Sequence, residues 1–109
     1  MKVPPVVGLV ALAEEMNGRL ERGEARSRGE LARSFRLTAA RVTQLLGLLR
    51  LAPVLLEYVR ALPTGTPARM VTERGLRPLT RLSEEEQIER AMRRAPGFAM
   101  FVERKKMTT

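Results

Sequence analysis

The segment SRGELARSFRLTAARVTQLLGLLRLAP, residues 27–53, decides the fold of this chain. Ser27 and Glu30 have the spacing of a capping box, which predicts a helix from Ser27 to about Ser34 or Phe35. Thr38 can cap a second helix after a turn of only a few residues. Two short helices joined so closely cross at a steep angle, and the segment therefore predicts a helix-turn-helix over residues 27–50.

The residue types agree with this crossing. Small or apolar side chains occupy the positions that must face inward, namely Leu31, Ala32, Phe35, Leu37, Val42 and Leu45. Arg36 departs from the pattern, because the turn between such helices usually carries glycine to allow a positive φ. Either Arg36 adopts a left-handed backbone at a cost of roughly 1 kcal/mol, or the turn is built differently.

Helical spacing continues outside this segment. Apolar residues recur at three and four from Pro5 to about Gly23, and Pro53 suits the first position of a helix that carries Leu55, Leu56, Val59 and Leu62. Thr72 and Ser83 can cap two further helices, and Pro96-Gly97 is expected to stop the last one. No alternating run favours a strand. We predict an all-α, compact domain of about five to six helices over residues 1–97, with residues 98–109 as a tail that is either flexible or dimer-forming.

The charge is strongly positive and unevenly distributed. The 109 residues carry 20 Lys+Arg against 12 Asp+Glu, a net charge of +8, and seventeen of the cations are arginines. The excess of arginine over lysine has two explanations: the guanidinium group suits phosphate and guanine edges, and the codon bias of a GC-rich genome also favours arginine. Residues 26–60 alone have a net charge of +5 and residues 61–82 a net charge of +3. Such a balance favours a polyanionic partner.

The missing residue types exclude most site chemistry. The chain contains no Cys, His, Trp or Asp, so zinc sites, disulfides, cysteine nucleophiles and Ser/His/Asp arrangements are not available. Tyr58, the single tyrosine, is expected to pack in the core. The apolar residues 6–13 are too few to span a bilayer. We expect a cytoplasmic, nucleoid-associated protein that is not an enzyme and that uses no metal, cofactor or membrane.

Residues 27–62 resemble the helix-turn-helix of the ParB and KorB partition and repressor proteins, and of small phage or mobile-element regulators similar to them. The likeness is greatest over RVTQLLGLLRLAP, Arg41 to Pro53, where a leucine-rich continuation leads to a proline and a further helix. Residues 6–26 and 68–94 are similar only loosely. Family members often carry an arginine where this chain has Ala39. Full-length ParB proteins also have a nucleotide-binding region that has no counterpart before Ser27, so CTP hydrolysis is not implied.

A helix-turn-helix places its second helix, here residues 39–50, in the major groove. The predicted base-contact residues are Thr38, Ala39, Ala40, Thr43, Gln44 and Gly47, and the predicted phosphate-contact residues are Arg28, Arg33, Arg36 and Arg41. Gln44 can pair with adenine, or it can be merely a solvated polar residue. Gly47 is costly within a helix, which indicates close approach of either DNA or another helix.

Two functions remain open. The first is a sequence-specific double-stranded DNA-binding protein, expected as a homodimer, acting as a transcriptional regulator or as a partition or mobile-element accessory factor. The second is a protein–protein interaction adaptor that docks on a larger DNA-processing enzyme. The leucine-rich residues 45–56 could be a partner seam, but helical cores use the same residues, and core is the expected role. Phe98 and Phe101, expected to be exposed, would serve a dimer contact or belong to a disordered remnant.

Overall fold

The computed structural model describes residues 2–107. Within them the chain forms seven α-helices and three short 3-10 helices, and no strand. The α-helices are α1 (Pro5–Glu21), α2 (Arg28–Phe35), α3 (Ala39–Gly47), α4 (Pro53–Arg60), α5 (Glu73–Leu76), α6 (Glu84–Arg94) and α7 (Pro96–Met107). The 3-10 helices are Leu48–Arg50, Ala68–Met70 and Arg77–Arg81. The all-α prediction is confirmed, whereas the predicted number of helices is too low.

The additional helix is α7. Pro96-Gly97 does follow the end of α6, but Pro96 also occupies the first position of a new helix, where its missing N–H costs no hydrogen bond. Phe98 is fully buried, and its ring lies 5.3 Å from that of Tyr58, edge to face. The expectation that Phe98 is exposed is therefore wrong, because α7 packs against α4 through these rings.

Side-chain caps begin four of the helices at the residues predicted from the sequence. Each hydroxyl accepts a hydrogen bond from the backbone N–H three residues later, at 3.0–3.2 Å. The four caps are Ser27 for α2, Thr38 for α3, Thr72 for α5 and Ser83 for α6. These signals are local, so they could be predicted without knowledge of the packing.

The core lies where α1 packs across α3 and α4. Met16 of α1 and Val42 of α3 are fully buried, and so is Leu31 of α2. Most of the leucine-rich stretch is buried as well, at Leu45, Leu46, Leu48, Leu51 and Leu55. These leucines are core residues, which removes them as an exposed seam for a partner.

Gln87 is the one buried polar side chain among residues 2–107. Its Oε1 accepts from the backbone N–H of Ala52 at 2.7 Å, and its Nε2 donates to the carbonyl oxygens of Arg50 and Leu82 at 3.1 and 3.2 Å. Arg50 and Ala52 lie at the break between α3 and α4, where helical hydrogen bonds are interrupted. Gln87 therefore satisfies backbone groups that would otherwise be buried without a partner.

No single helix within residues 2–107 is long and apolar enough to cross a membrane; the pair Ala39–Arg50 and Pro53–Arg60, bent by 108°, meets the requirement by length and composition only.

Candidate nucleic-acid interface

The turn between α2 and α3 is built on a left-handed arginine. Arg36 has φ 56° and ψ 44°, and it follows the last residue of α2. The Leu37 N–H donates to the carbonyl oxygen of Ala32 at 2.8 Å, and the Arg36 N–H donates to that of Arg33 at 3.3 Å. This pattern closes a helix with a residue that is most often glycine. Of the two possibilities for Arg36, the strained left-handed one is therefore found.

One face of α3 is buried and the other faces solvent. Val42, Leu45 and Leu46 point into the core. The predicted base-contact residues lie on the other side, where Thr38, Ala39, Ala40, Thr43 and Gln44 are exposed and Gly47 is half-buried. We call these six residues the α3 face. Their spacing of three and four residues puts them on one side of the helix.

Arg28 reaches the α3 face from α2. Its Nη1 donates to the Thr43 hydroxyl at 3.2 Å. Arg33 and Arg36, also predicted as phosphate contacts, are exposed at the end of the same helix. The close approach of α2 and α3 rests on Ala32, whose small side chain is almost fully buried between them.

Arg41 is held by a carboxylate that sequence reasoning missed. Its Nη1 and Nη2 donate to the two oxygens of Glu73 at 2.6 and 2.9 Å, and Nη1 also donates to Gln44 Oε1 at 3.3 Å. Glu73 accepts in addition from Arg77 Nη2 at 3.0 Å, and its side chain is only 12% exposed. A single carboxylate of α5 thus joins α3 to the 3-10 helix Arg77–Arg81.

The hydrogen bonds from Arg41 hold the pKa of Glu73 below its ordinary value, against the opposing effect of desolvation, and Arg77 adds to the lowering. The same pair raises the pKa of Arg41 above its ordinary value. Both groups are therefore charged at neutral pH. Because Glu73 is shared by Arg41 and Arg77, the three side chains together keep one net positive charge.

A cavity of about 290 Å³ adjoins the α3 face and is rich in arginine. We call it the arginine cleft; it is lined by Gln44, Gly47, Arg50, Arg77, Pro78, Thr80 and Arg81. Its three arginines are absent from the predicted phosphate contacts. For Arg77 and Arg81 the available signal was the net charge of +3 on residues 61–82, but charge alone does not tell which surface those residues join.

Gly47 does not owe its presence to a neighbouring helix. A Cβ built on Gly47 would have no heavy atom within 4 Å beyond its own helix backbone and chain neighbours. Of the two reasons considered for this glycine, close approach of another helix is thus excluded within the described chain.

The described residues 2–107 contain no cluster of three or more His, Cys, Asp or Glu side chains that could hold a metal ion. What this surface offers is guanidinium groups, hydroxyls and one exposed amide. These groups donate hydrogen bonds to oxyanions and to the edges of bases.

No family model, no curated protein and no solved structure matches the chain. The likeness of residues 27–62 to the ParB and KorB proteins stays a prediction.

Proposed function

We propose that this protein binds double-stranded DNA sequence-specifically, with helix α3 in the major groove and the pair α2–α3 acting as a helix-turn-helix. One observation carries the proposal: arginines from two distant parts of the chain reach the same exposed face of α3. Arg28 of α2 bonds to Thr43, and the arginine cleft opens beside Gln44 and Gly47. Exposed polar groups flanked by cations are what a helix needs to read bases between two phosphate backbones.

In this proposal Gln44 is the principal base-reading residue. Its amide can donate to N7 of adenine while its oxygen accepts from the N6 amino group. The hydrogen bond from Arg41 restrains Gln44 and leaves a second lone pair on its oxygen. Ala39 and Ala40 supply methyl contacts to thymine, and Thr38 and Thr43 supply hydroxyls.

Arg28, Arg33 and Arg36 provide phosphate contacts on the α2 side. Arg50 and Arg81 provide them from the arginine cleft. Arg41 reaches a phosphate only by leaving Glu73, so its main role is to orient Gln44. This division of roles is supported by the Arg41–Glu73 contact, in which both terminal nitrogens of the guanidinium group, Nη1 and Nη2, are engaged.

Selection of duplexes from a random pool, followed by titration of the selected site, tests the proposal. Gln44→Ala should relax base preference, whereas Arg28→Ala should weaken binding to all duplexes about equally. Arg93→Ala is the matched control, because Arg93 pairs with Glu89 on the exposed side of α6 and lines neither the α3 face nor the arginine cleft. Failure to retard any duplex at about 50 mM salt would refute the proposal, and would favour the adaptor function.

We further propose that two copies bind together, as a transcriptional regulator or a partition or mobile-element accessory factor of the ParB and KorB kind. The molecule measures 41 × 33 × 25 Å, and successive major grooves on one face of B-DNA lie about 34–36 Å apart. Neighbouring copies can therefore occupy adjacent turns. A selected site that is palindromic supports the dimer, and a non-repeated site together with a monomeric mass on DNA contradicts it.

A further inference from the structure

A second cavity, which none of the α3-face residues lines, combines an apolar wall with arginines that form no ion pair among residues 2–107. It measures about 280 Å³ and lies between α4, α5, α6 and α7. We call it the inter-helix cavity. Its apolar wall includes Leu55, Val71, Leu76, Leu79 and Phe98.

Three arginines also line this cavity: Arg69 from the 3-10 helix Ala68–Met70, and Arg90 and Arg94 from α6. Within residues 2–107 none of the three has a carboxylate within 4.0 Å, and none of the lining residues is acidic. Glu86 lies one turn before Arg90, but its carboxylate accepts from the Ser83 hydroxyl instead. By contrast, Arg93 of the same helix has Glu89 at 2.7 Å.

This arrangement is specific in chemical terms. An apolar cavity with a few polar groups is typical of small-molecule sites, and 280 Å³ lies just below their usual lower limit of about 300 Å³. Guanidinium groups match the oxygens of carboxylates and phosphates in two-pronged hydrogen bonds. A neutral ligand would form no ion pair with these arginines, and a cationic ligand would be repelled by them.

We propose that the inter-helix cavity binds a small amphipathic anion, with its apolar body against the accessible side chains of Met70 and Val71 and the edge of Leu79, and its oxyanion head group at Arg69, Arg90 and Arg94. A carboxylate and a phosphate monoester share this chemistry. The site does not involve the α3 face, and the proposal therefore stands independently of DNA binding.

Calorimetric titration and thermal unfolding of the full chain test the proposal with four probes of equal tail length: octanoate, octyl phosphate, octanol and octyltrimethylammonium. Octanoate or octyl phosphate should bind saturably and raise the melting temperature. Octanol should bind at least about tenfold more weakly and the cationic probe more weakly still. The tighter of the two anions identifies the head group.

The variant Arg90→Gln/Arg94→Gln should lose about tenfold in affinity for the anion and keep its affinity for octanol. Arg93→Gln is the matched control on the same helix and should leave both affinities unchanged, since Arg93 does not line the cavity. All three positions are exposed, so these substitutions leave the core intact. Equal affinities for octanol and octanoate, an equal loss in Arg93→Gln, or no saturable binding of any anion would overturn the proposal.

Discussion

Arg36 bears the only positive φ of a non-glycine residue within residues 2–107. Replacing it with glycine removes the clash of the Cβ but adds freedom to the unfolded chain. The net effect expected for Arg36→Gly is a gain of about 0.5–1 kcal/mol in the free energy of unfolding, measured by urea denaturation. Arg33→Gly, inside α2, should instead lose about 1 kcal/mol.

The two variants should also differ in the relation between stability and DNA affinity. Arg36→Gly is expected to bind DNA more weakly despite its greater stability, because it lacks a phosphate contact. If Arg36→Gly is as destabilising as Arg33→Gly, the turn does not have the left-handed geometry.

Glu73 makes the stability depend on pH. Its pKa is lowered in the folded protein, chiefly by hydrogen bonds from Arg41. The ionised carboxylate therefore stabilises the fold at pH values above its unfolded-state pKa of about 4.3. This contribution is lost as the pH falls through the lower, folded-state pKa. At pH 7, the free energy of unfolding measured by urea denaturation should be about 1–2 kcal/mol higher for wild type than for Glu73→Gln. This difference should shrink below about pH 4.

The control for this experiment is Glu89→Gln. Glu89 also pairs with an arginine, but both side chains are more than two-thirds exposed. Urea denaturation should place this variant within about 0.5 kcal/mol of wild type at both pH values. A Glu73→Gln difference that persists unchanged at pH 3 would show that ionisation of Glu73 is not its cause.

Gln87 supports the core through hydrogen bonds rather than apolar contact. Gln87→Ala leaves the buried Ala52 N–H and the partly buried carbonyl oxygens of Arg50 and Leu82 without this partner. We expect a loss of about 2–4 kcal/mol in the free energy of unfolding. Gln44→Ala, which truncates an exposed glutamine, should stay within about 0.5 kcal/mol of wild type. Similar losses in the two variants would contradict the role given to Gln87.

At the scale of the element, Gly47→Ala should have opposite effects on the stability of α3 and on the DNA binding proposed for it. Alanine fits there without contact, so Gly47→Ala should raise the free energy of unfolding by about 0.5–1 kcal/mol. The same methyl group should weaken DNA binding if the backbone of α3 approaches the DNA at this point. Gly8→Ala is the matched control in α1, because a Cβ there also meets nothing within 4 Å.

Gly8→Ala should have a higher free energy of unfolding than wild type in urea denaturation, and it should bind the selected duplex with wild-type affinity. Wild-type affinity in Gly47→Ala would exclude close approach of DNA at residue 47. Both glycines then would differ from alanine only in helix propensity.

The elements were predictable from the sequence where their signals are local. A hydroxyl at Ser27 or Thr38 fixes where a helix begins, and the apolar spacing fixes which face of α3 is buried. Pro96-Gly97 is ambiguous by the same reasoning, because proline both follows one helix and begins another. Only the contact of Phe98 with Tyr58, forty residues apart in sequence, settles that α7 belongs to the core.

The candidate site was predictable to the same extent. The α3 face follows from helical spacing, and Arg28 follows from its place on α2. Glu73 and the part of the arginine cleft from residues 77–81 do not follow, since they come to α3 from more than 25 residues away and no periodicity relates such positions. The net charge of residues 61–82 indicated a cationic surface without its location.

At the scale of the whole molecule, the proposed interface predicts how DNA affinity depends on salt. Each phosphate contact contributes about 0.9 to the slope of log K against log salt. Arg50→Gln/Arg81→Gln should therefore lower the slope by up to about 1.8. Arg90→Gln/Arg94→Gln changes the net charge equally and should leave the slope unchanged. Equal slopes in the two double variants would remove the arginine cleft from the DNA interface.

Gln87 also bears on how such a protein can be rearranged. The side-chain amide that bonds to the backbone groups between α3 and α4 belongs to Gln87 of α6, which follows Arg50 by 37 residues. A chimaera that inherits residues 27–62 without α6 inherits the proposed DNA-binding surface, but its Ala52 N–H and Arg50 carbonyl lose their side-chain partner. Residues 27–62 are therefore not transferable on their own, and recombination within this protein is tolerated best where it keeps a glutamine at position 87, because the groups that Gln87 bonds at residues 50 and 52 are backbone groups.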